Sequence, residues 1–214
     1  MAALDAETIM RATEDVLRRY GPAKATVVDV ARQLGVSHAA VYRHFPSKAA
    51  LREAVARRWL TRVYDDTVAL AGSPRQSAAQ RLTAWLMALH HAKVKAAIID
   101  PELFATYRVL LEENSTATAE HISALVRGLA EIVADGVAAG AFASTDPAAT
   151  ARAIFQATTA FHHPAHVAEW QRPNHDRLLT DVCTLIVNGL CPVPVDPRSG
   201  SAARESAGKS SRAM

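Results

Sequence analysis

Between Thr26 and Leu51 the chain is punctuated so closely that few architectures can accommodate it. The Thr26 hydroxyl can cap a helix while Asp29, three residues on, reaches back to the cap in a capping box. That helix ends at Gly35, where a residue without Cβ adopts the left-handed conformation of a tight turn. Ser37 caps a third helix through about His44, and Ser47, after Pro46, caps a fourth to about Leu70. Ala31 is small where the two short helices would touch, and Val30, Leu34, Val36 and Val41 form their seam. These are the parts of a helix-turn-helix, whose second helix enters the DNA major groove while the first crosses the backbone. His38, Ala39, Ala40, Tyr42, Arg43 and His44 remain free to face outward or into the groove, with the alanine methyls available to thymine.

The rest of the chain reads as helices. A first runs from Asp5 to about Arg19, where Ile9, Ala12, Thr13, Val16 and Leu17 recur at helical spacing before a Tyr20-Gly21-Pro22 stop. Later starts are marked by Ser73-Pro74 with Gln76, by Asp100-Pro101 and by Asp146-Pro147, each a capping oxygen before a proline. They place helices at about 74–96, 101–113, 117–139 (closed by Gly140), 147–163 and 175–190. Half the residues are apolar but only 6% are aromatic, which suits packed helices better than sheets. The expected fold is all-α with nine helices: a three-helix helix-turn-helix head at 1–50, a helical body at 51–191, and a disordered tail at 192–214 made of Pro, Ser, Gly, Ala and Arg.

Charge divides along the same line. Residues 1–63 hold 11 Lys/Arg against 6 Asp/Glu, a net +5, whereas residues 64–191 hold 9 against 13, a net −4. A basic head on an acidic body is the electrostatic footprint of a nucleic-acid binder. Met1 to Met10 carries Asp5 and Glu7 and no apolar core with a cleavage site, and no stretch reaches the ~20 apolar residues of a membrane span, so a cytoplasmic protein is expected. Cys183 and Cys191, eight apart, fit neither C-x-x-C nor a disulfide framework.

The run Thr26-Val-Val-Asp-Val-Ala-Arg-Gln-Leu-Gly-Val-Ser-His-Ala-Ala-Val-Tyr-Arg-His-Phe-Pro-Ser-Lys-Ala-Ala-Leu51 resembles the signature of the TetR family of transcriptional regulators almost end to end. The resemblance implies phosphate contacts from Thr26, Tyr42, His44 and Lys48, and contacts to base edges or adjacent sugar-phosphate from Ser37, His38, Ala39 and Ala40. It implies a homodimer through the helices at about 147–163 and 175–190, with Arg152, Ile154, Thr158, Asp181, Cys183, Leu185 and Ile186 as interface candidates. It also implies a repressor released from a palindromic operator by a small-molecule effector. The alternative is an effector-independent dimeric DNA-binding or architectural regulator.

Candidates for lining an effector pocket are aromatic and polar residues on helices otherwise built of Ala, Leu and Val: Trp85, Leu89, His90, Phe104, Tyr107, Leu111, Phe155, Thr159 and His162. An apolar cavity with few polar groups suits a small lipophilic or aromatic ligand. His162-His163-Pro164-Ala165-His166 invites a metal, but it lacks an H-E-x-x-H pattern and Pro164 breaks the helix that would align His162 with His166. No metal or other cofactor is expected. Neither is an enzyme, since no nucleophile and base, paired carboxylates or phosphate-cradling loop stands at recognisable spacing.

Overall fold

Asp5 opens the first helix by accepting the Thr8 N–H at 2.7 Å, the arrangement that satisfies a donor left free in a first turn. The computed structural model describes residues 4–71, 75–144 and 146–192; the expected tail therefore lies, but for its first residue, outside the described residues. Helix α1 spans Ala6–Lys24 with a break at Gly21. Ile9, Ala12, Thr13, Val16 and Leu17 form its buried face.

Both sides of the Thr26 and Asp29 capping box are made, opening α2 at Val27–Leu34. Gly35 closes it at φ 65°, ψ 30°, a left-handed conformation that L side chains rarely adopt. Ser37 accepts the Ala40 N–H to start α3, His38–Tyr42. This helix stops two residues short of the expected His44, because the chain tightens and the His44 and Phe45 N–H groups both turn back to the Val41 carbonyl. Phe45 is thereby buried, and Pro46 disfavours helix at the residue before it. Ser47 caps α4, Lys48–Leu70, a rod of about 35 Å at 1.5 Å per residue.

The body departs from expectation at the start of α5, the cap of α6 and the end of α8. Helix α5 is Ala78–Ile99, capped by Ser77 with Gln80 completing the box; Ser73 and Pro74 lie outside the described residues. Helix α6, Pro101–Glu112, starts where expected, but the Asp100 carboxylate does not cap it and accepts Arg18 Nε at 2.7 Å instead. Helix α7, Thr116–Ala138, is capped by Ser115. Helix α8, Pro147–Ala157, ends six residues early, with the Thr158 hydroxyl donating to the Ile154 carbonyl at 2.9 Å and 3-10 turns at Thr159–Phe161 and Pro164–His166 following. Helix α9 is His175–Leu190. Among the described residues there are nine α-helices and no strand.

Two apolar clusters hold the chain together. One joins α1 to α4 with α6 and Trp170, through Ile9, Val16, Val30, Val41, Val55, Trp59 and Phe104. The other joins α5, α7, α8 and α9 through Leu82, Trp85, Leu125, Leu129, Ile154 and Leu179. Cys183 belongs to this second cluster and Cys191 is exposed, both as free thiols. Gly136 shows how closely α7 approaches the loop behind it: a Cβ there would lie 2.2 Å from the Phe142 ring and 3.0 Å from Ala78 Cβ. Gly136→Val is expected to cost about 2–3 kcal/mol by overpacking. An unchanged urea midpoint would show that the Phe142 loop moves aside freely.

Candidate nucleic-acid interface and ligand cleft

The turn at Gly35 sets α3 against α2 by sending the Val36 N–H back to the Ala31 carbonyl at 3.0 Å. Val30, Ala31 and Val41 fill the seam, with Leu34 and Val36 half-buried against it. His38, Ala39, Tyr42 and the following Arg43 and His44 are exposed, as are Thr26, Ser37 and Lys48 at the helix starts on either side. Ala40 departs from this set: at only 6% exposed it is buried beside Val41 and is not open to a base edge.

Two of the exposed hydroxyls already have work within the head. Thr26 Oγ1 accepts the Asp29 N–H at 3.2 Å and donates to Asp29 Oδ2 at 2.6 Å, and that hydrogen bond from Thr26 lowers the Asp29 carboxyl below its ordinary range. Ser37 Oγ accepts the Ala40 N–H at 3.2 Å. His38 stands edge-on to Tyr42, their ring centroids 6.4 Å apart, so the two rings form one exposed aromatic ridge on α3. Arg43, directly after that ridge, and Lys48, at the start of α4, are exposed and form no ion pair with a described residue.

In the body, a cleft of about 680 Å³ opens between α6, α7 and α8. Tyr107, Leu111, Phe155, Thr159 and His162 line it, five of the nine residues expected of a pocket. The other four are core. Trp85 and Leu89 are buried in the second cluster, Phe104 packs edge-on against Trp59 and Trp170, and His90 Nδ1 donates to the Phe161 carbonyl at 2.8 Å. The missed wall is the α7 stripe Ile122, Val126 and Ala130 with Ser123 and Arg127, together with Arg152 of α8. Its i, i+4, i+8 spacing was legible, but it carries no aromatic to mark it.

Behind the cleft lies a buried polar group that the expected set did not include. Lys93 of α5 is 1% exposed; its Nζ donates to His121 Nε2 at 2.8 Å and lies 4.4 Å over the Tyr107 ring. Burial lowers the Lys93 ammonium from 10.5 to about 7. Burial, with the Lys93 charge beside it, holds His121 well below the usual histidine range. His162 falls to about 4 for the same first reason, although its Nε2–H donates to the Phe155 carbonyl at 3.0 Å. Of the other histidines of the run, His163 also lines the cleft, its Nδ1 accepting the Ala165 N–H, and His166 Nδ1 faces Glu169. Among the described residues no group of three or more His, Cys, Asp or Glu is placed to hold a metal ion, and no helix is long and apolar enough to cross a membrane.

Helices α8 and α9 also show which interface candidates are free. Ile154, Thr158 and Cys183 are buried within the chain, so they are removed from any partner surface. Leu178 and Leu185 are 54% and 73% exposed, seven residues apart on α9, with Asp181 and Arg152 also exposed and Ile186 partly so.

A helix-turn-helix with an exposed α3, carried on an all-helical body, defines a DNA-binding regulator. Comparison with known proteins agrees in both parts: residues 9–55 match the family described as bacterial regulatory proteins, tetR family, and residues 78–183 match the tetracyclin repressor-like C-terminal domain. The chain belongs to the TetR family and is a DNA-binding transcriptional regulator, not an enzyme. Over 48 residues it is 48% identical to the nucleoid occlusion factor SlmA of Vibrio atlanticus, a match spanning 22% of this chain and about a quarter (24%) of that relative. The fold is shared with the fatty acid degradation regulator FadR from Bacillus halodurans, at TM-score 0.62 and 18% identity over 87% of this chain and 100% of that one. It is shared too with a TetR transcription regulator from Haloarcula marismortui, at TM-score 0.60 and 18% identity over 87% and 98% of the two chains.

Proposed function

We propose that the protein is a homodimeric repressor that leaves a palindromic operator when a small lipophilic or aromatic effector occupies the cleft between α6, α7 and α8. The observation that carries this reading is the position of α6. Its Tyr107 and Leu111 line the cleft, while Asp100, at its start, holds Arg18 of α1 in the head. A ligand that shifts α6 thus pulls on a head helix through a direct ion pair. Coupling of ~1–3 kcal/mol between two such sites would weaken operator binding 5- to 150-fold. Operator selection from random DNA, followed by an effector screen in a mobility assay, tests the reading. If no small molecule frees the fragment, the sensor role is lost.

The same head would grip DNA through phosphate contacts at Thr26, Tyr42, His44 and Lys48, with Ser37, His38 and Ala39 toward base edges or sugar-phosphate. Lys48→Ala or Tyr42→Phe should weaken binding to all sequences alike. For Lys48 the slope of log affinity against log salt should fall by roughly one unit. An unchanged slope removes Lys48 from the interface.

A second reading, an effector-independent dimeric DNA-binding or architectural regulator, is favoured by the likeness of the head to a nucleoid occlusion factor. It requires a body that only dimerises, and operator binding indifferent to every compound screened.

A further inference from the structure

Lys93 is an amine that no carboxylate among the described residues neutralises. Its Nζ meets a neutral imidazole, His121, and the face of Tyr107. Tyr107 and His162 belong to the cleft wall, and His162 feels the Lys93 charge, so the amine stands one side-chain layer behind that wall. An ammonium in such a setting keeps unused donors and an unbalanced field.

The sign is repeated at the rim. Arg127 and Arg152 line the cleft, both are exposed, and neither forms an ion pair with a described residue. None of the lining residues is Asp or Glu. The remaining wall is largely apolar, with Leu111, Ile122, Val126 and Phe155 forming its greater part.

We infer that this cleft takes an organic anion, a carboxylic acid with an apolar body, its head against Tyr107 in the field of Lys93 and its body along Leu111, Ile122 and Phe155. The inference rests on reading the cleft as the effector site, and it names the chemical class of the effector. A neutral molecule of the same shape gains the apolar contact alone. An anion gains in addition the compensation of a charge held in low dielectric, where Coulomb interactions far exceed those in water. A cation is repelled both at the rim and behind the wall. Because burial has already brought Lys93 to about 7, an arriving carboxylate needs only to restore a proton that the amine gives up near neutrality.

The test is isothermal titration of the full chain with hexanoate, decanoate and phenylacetate, each against the alcohol of the same skeleton. At least one acid should bind tenfold or more tightly than its alcohol. In Lys93→Met that preference should fall at least fivefold while alcohol binding is kept, and Lys93→Gln, which retains a polar tip without charge, should behave in the same way. Operator binding by both variants controls for folding. Acids and alcohols binding alike would overturn the anion inference and leave the cleft as an effector site. An acid preference undiminished in both variants would overturn the part given to Lys93. If no probe of either kind binds, the inference and the effector reading of the cleft fall together.

Discussion

Lys93→Met is expected to make the protein more stable, by about 3 kcal/mol at pH 7, because it removes a buried ammonium and leaves a side chain flexible enough to fill the space. The sign follows from proton binding in the two states. In the folded chain burial lowers Lys93 to about 7, against 10.5 for the ordinary side chain. Between those values the unfolded chain holds a proton that the folded chain has released, so unfolding free energy rises with pH across the window. At pH 7 and below, the folded chain bears nearly the whole penalty; near pH 10 it bears little. The groups facing Lys93 do not reverse this. His121 of α7 and His162 after α8 are pushed toward their neutral forms, and burial raises the Tyr107 phenol of α6, keeping it protonated. His163 is lowered as well, by its own burial first and by the neighbouring His166 charge. Urea unfolding of the two proteins at pH 7 and pH 9.5 should show the advantage of the variant falling by about 3 kcal/mol, to near zero, at ~1.4 kcal/mol per pKa unit. A variant less stable than the parent at both values would mean that the contacts to His121 and Tyr107 outweigh the desolvation.

That such a residue escaped the sequence reading is instructive, because its position was legible. Leu82, Leu86, Leu89 and Lys93 follow one another by four, three and four residues, so Lys93 lies on the buried face of α5. Helical periodicity assigns a face to a position whatever its side chain, but a search for apolar residues passes over the lysine. The head was the most legible region, since caps and turns are local. The Thr26 and Asp29 box, the Gly35 turn and the Ser37 and Ser47 caps each involve residues within a few positions of one another. Where expectation and structure part, a distant partner or a competing cap intervenes. Asp100 leaves its own helix for Arg18, 82 residues away in sequence. Ser77 and Gln80 repeat the pattern that pointed to Ser73 and Gln76, and the helix starts at the later pair. The burial of Ala40 could not be read because α3 is too short for its period to show; a shift of one residue beside Val41 decides between exposed and buried. The cleft was half legible for a related reason. An aromatic side chain at helical spacing marks a packed face, and whether that face meets a void, as at Tyr107 and Phe155, or another helix, as at Trp85 and Phe104, depends on which helices come to lie opposite it.

In the proposed homodimer, Leu185→Asp should abolish dimerisation and, with it, most operator affinity. Leu178 and Leu185 are large apolar side chains more than half exposed on α9, with exposed Gly189 one turn beyond and Val182 between them half-buried against the second cluster. Leu179 and Cys183 already pack into the body, whereas among the described residues neither apolar cluster covers the face of Leu178 and Leu185. A second copy of the same helix, crossing across a two-fold axis, would cover it and place each Leu185 near its symmetry mate. A pair of carboxylates there would be both desolvated and mutually repelling, against an interface whose stability depends on burying roughly 1,600 Å² in total. The consequence for DNA follows from the size of α3. A helix of five residues reads few base pairs, and two of them held one helical turn apart turn a weak half-site into a specific operator. The variant should therefore sediment as a monomer with unchanged helical circular dichroism, and bind a selected operator fragment at least a hundredfold more weakly than the parent. Leu185→Met, which keeps the apolar surface, should do neither. A Leu185→Asp protein that still sediments as a dimer would place the subunit contact on some face other than this row of α9.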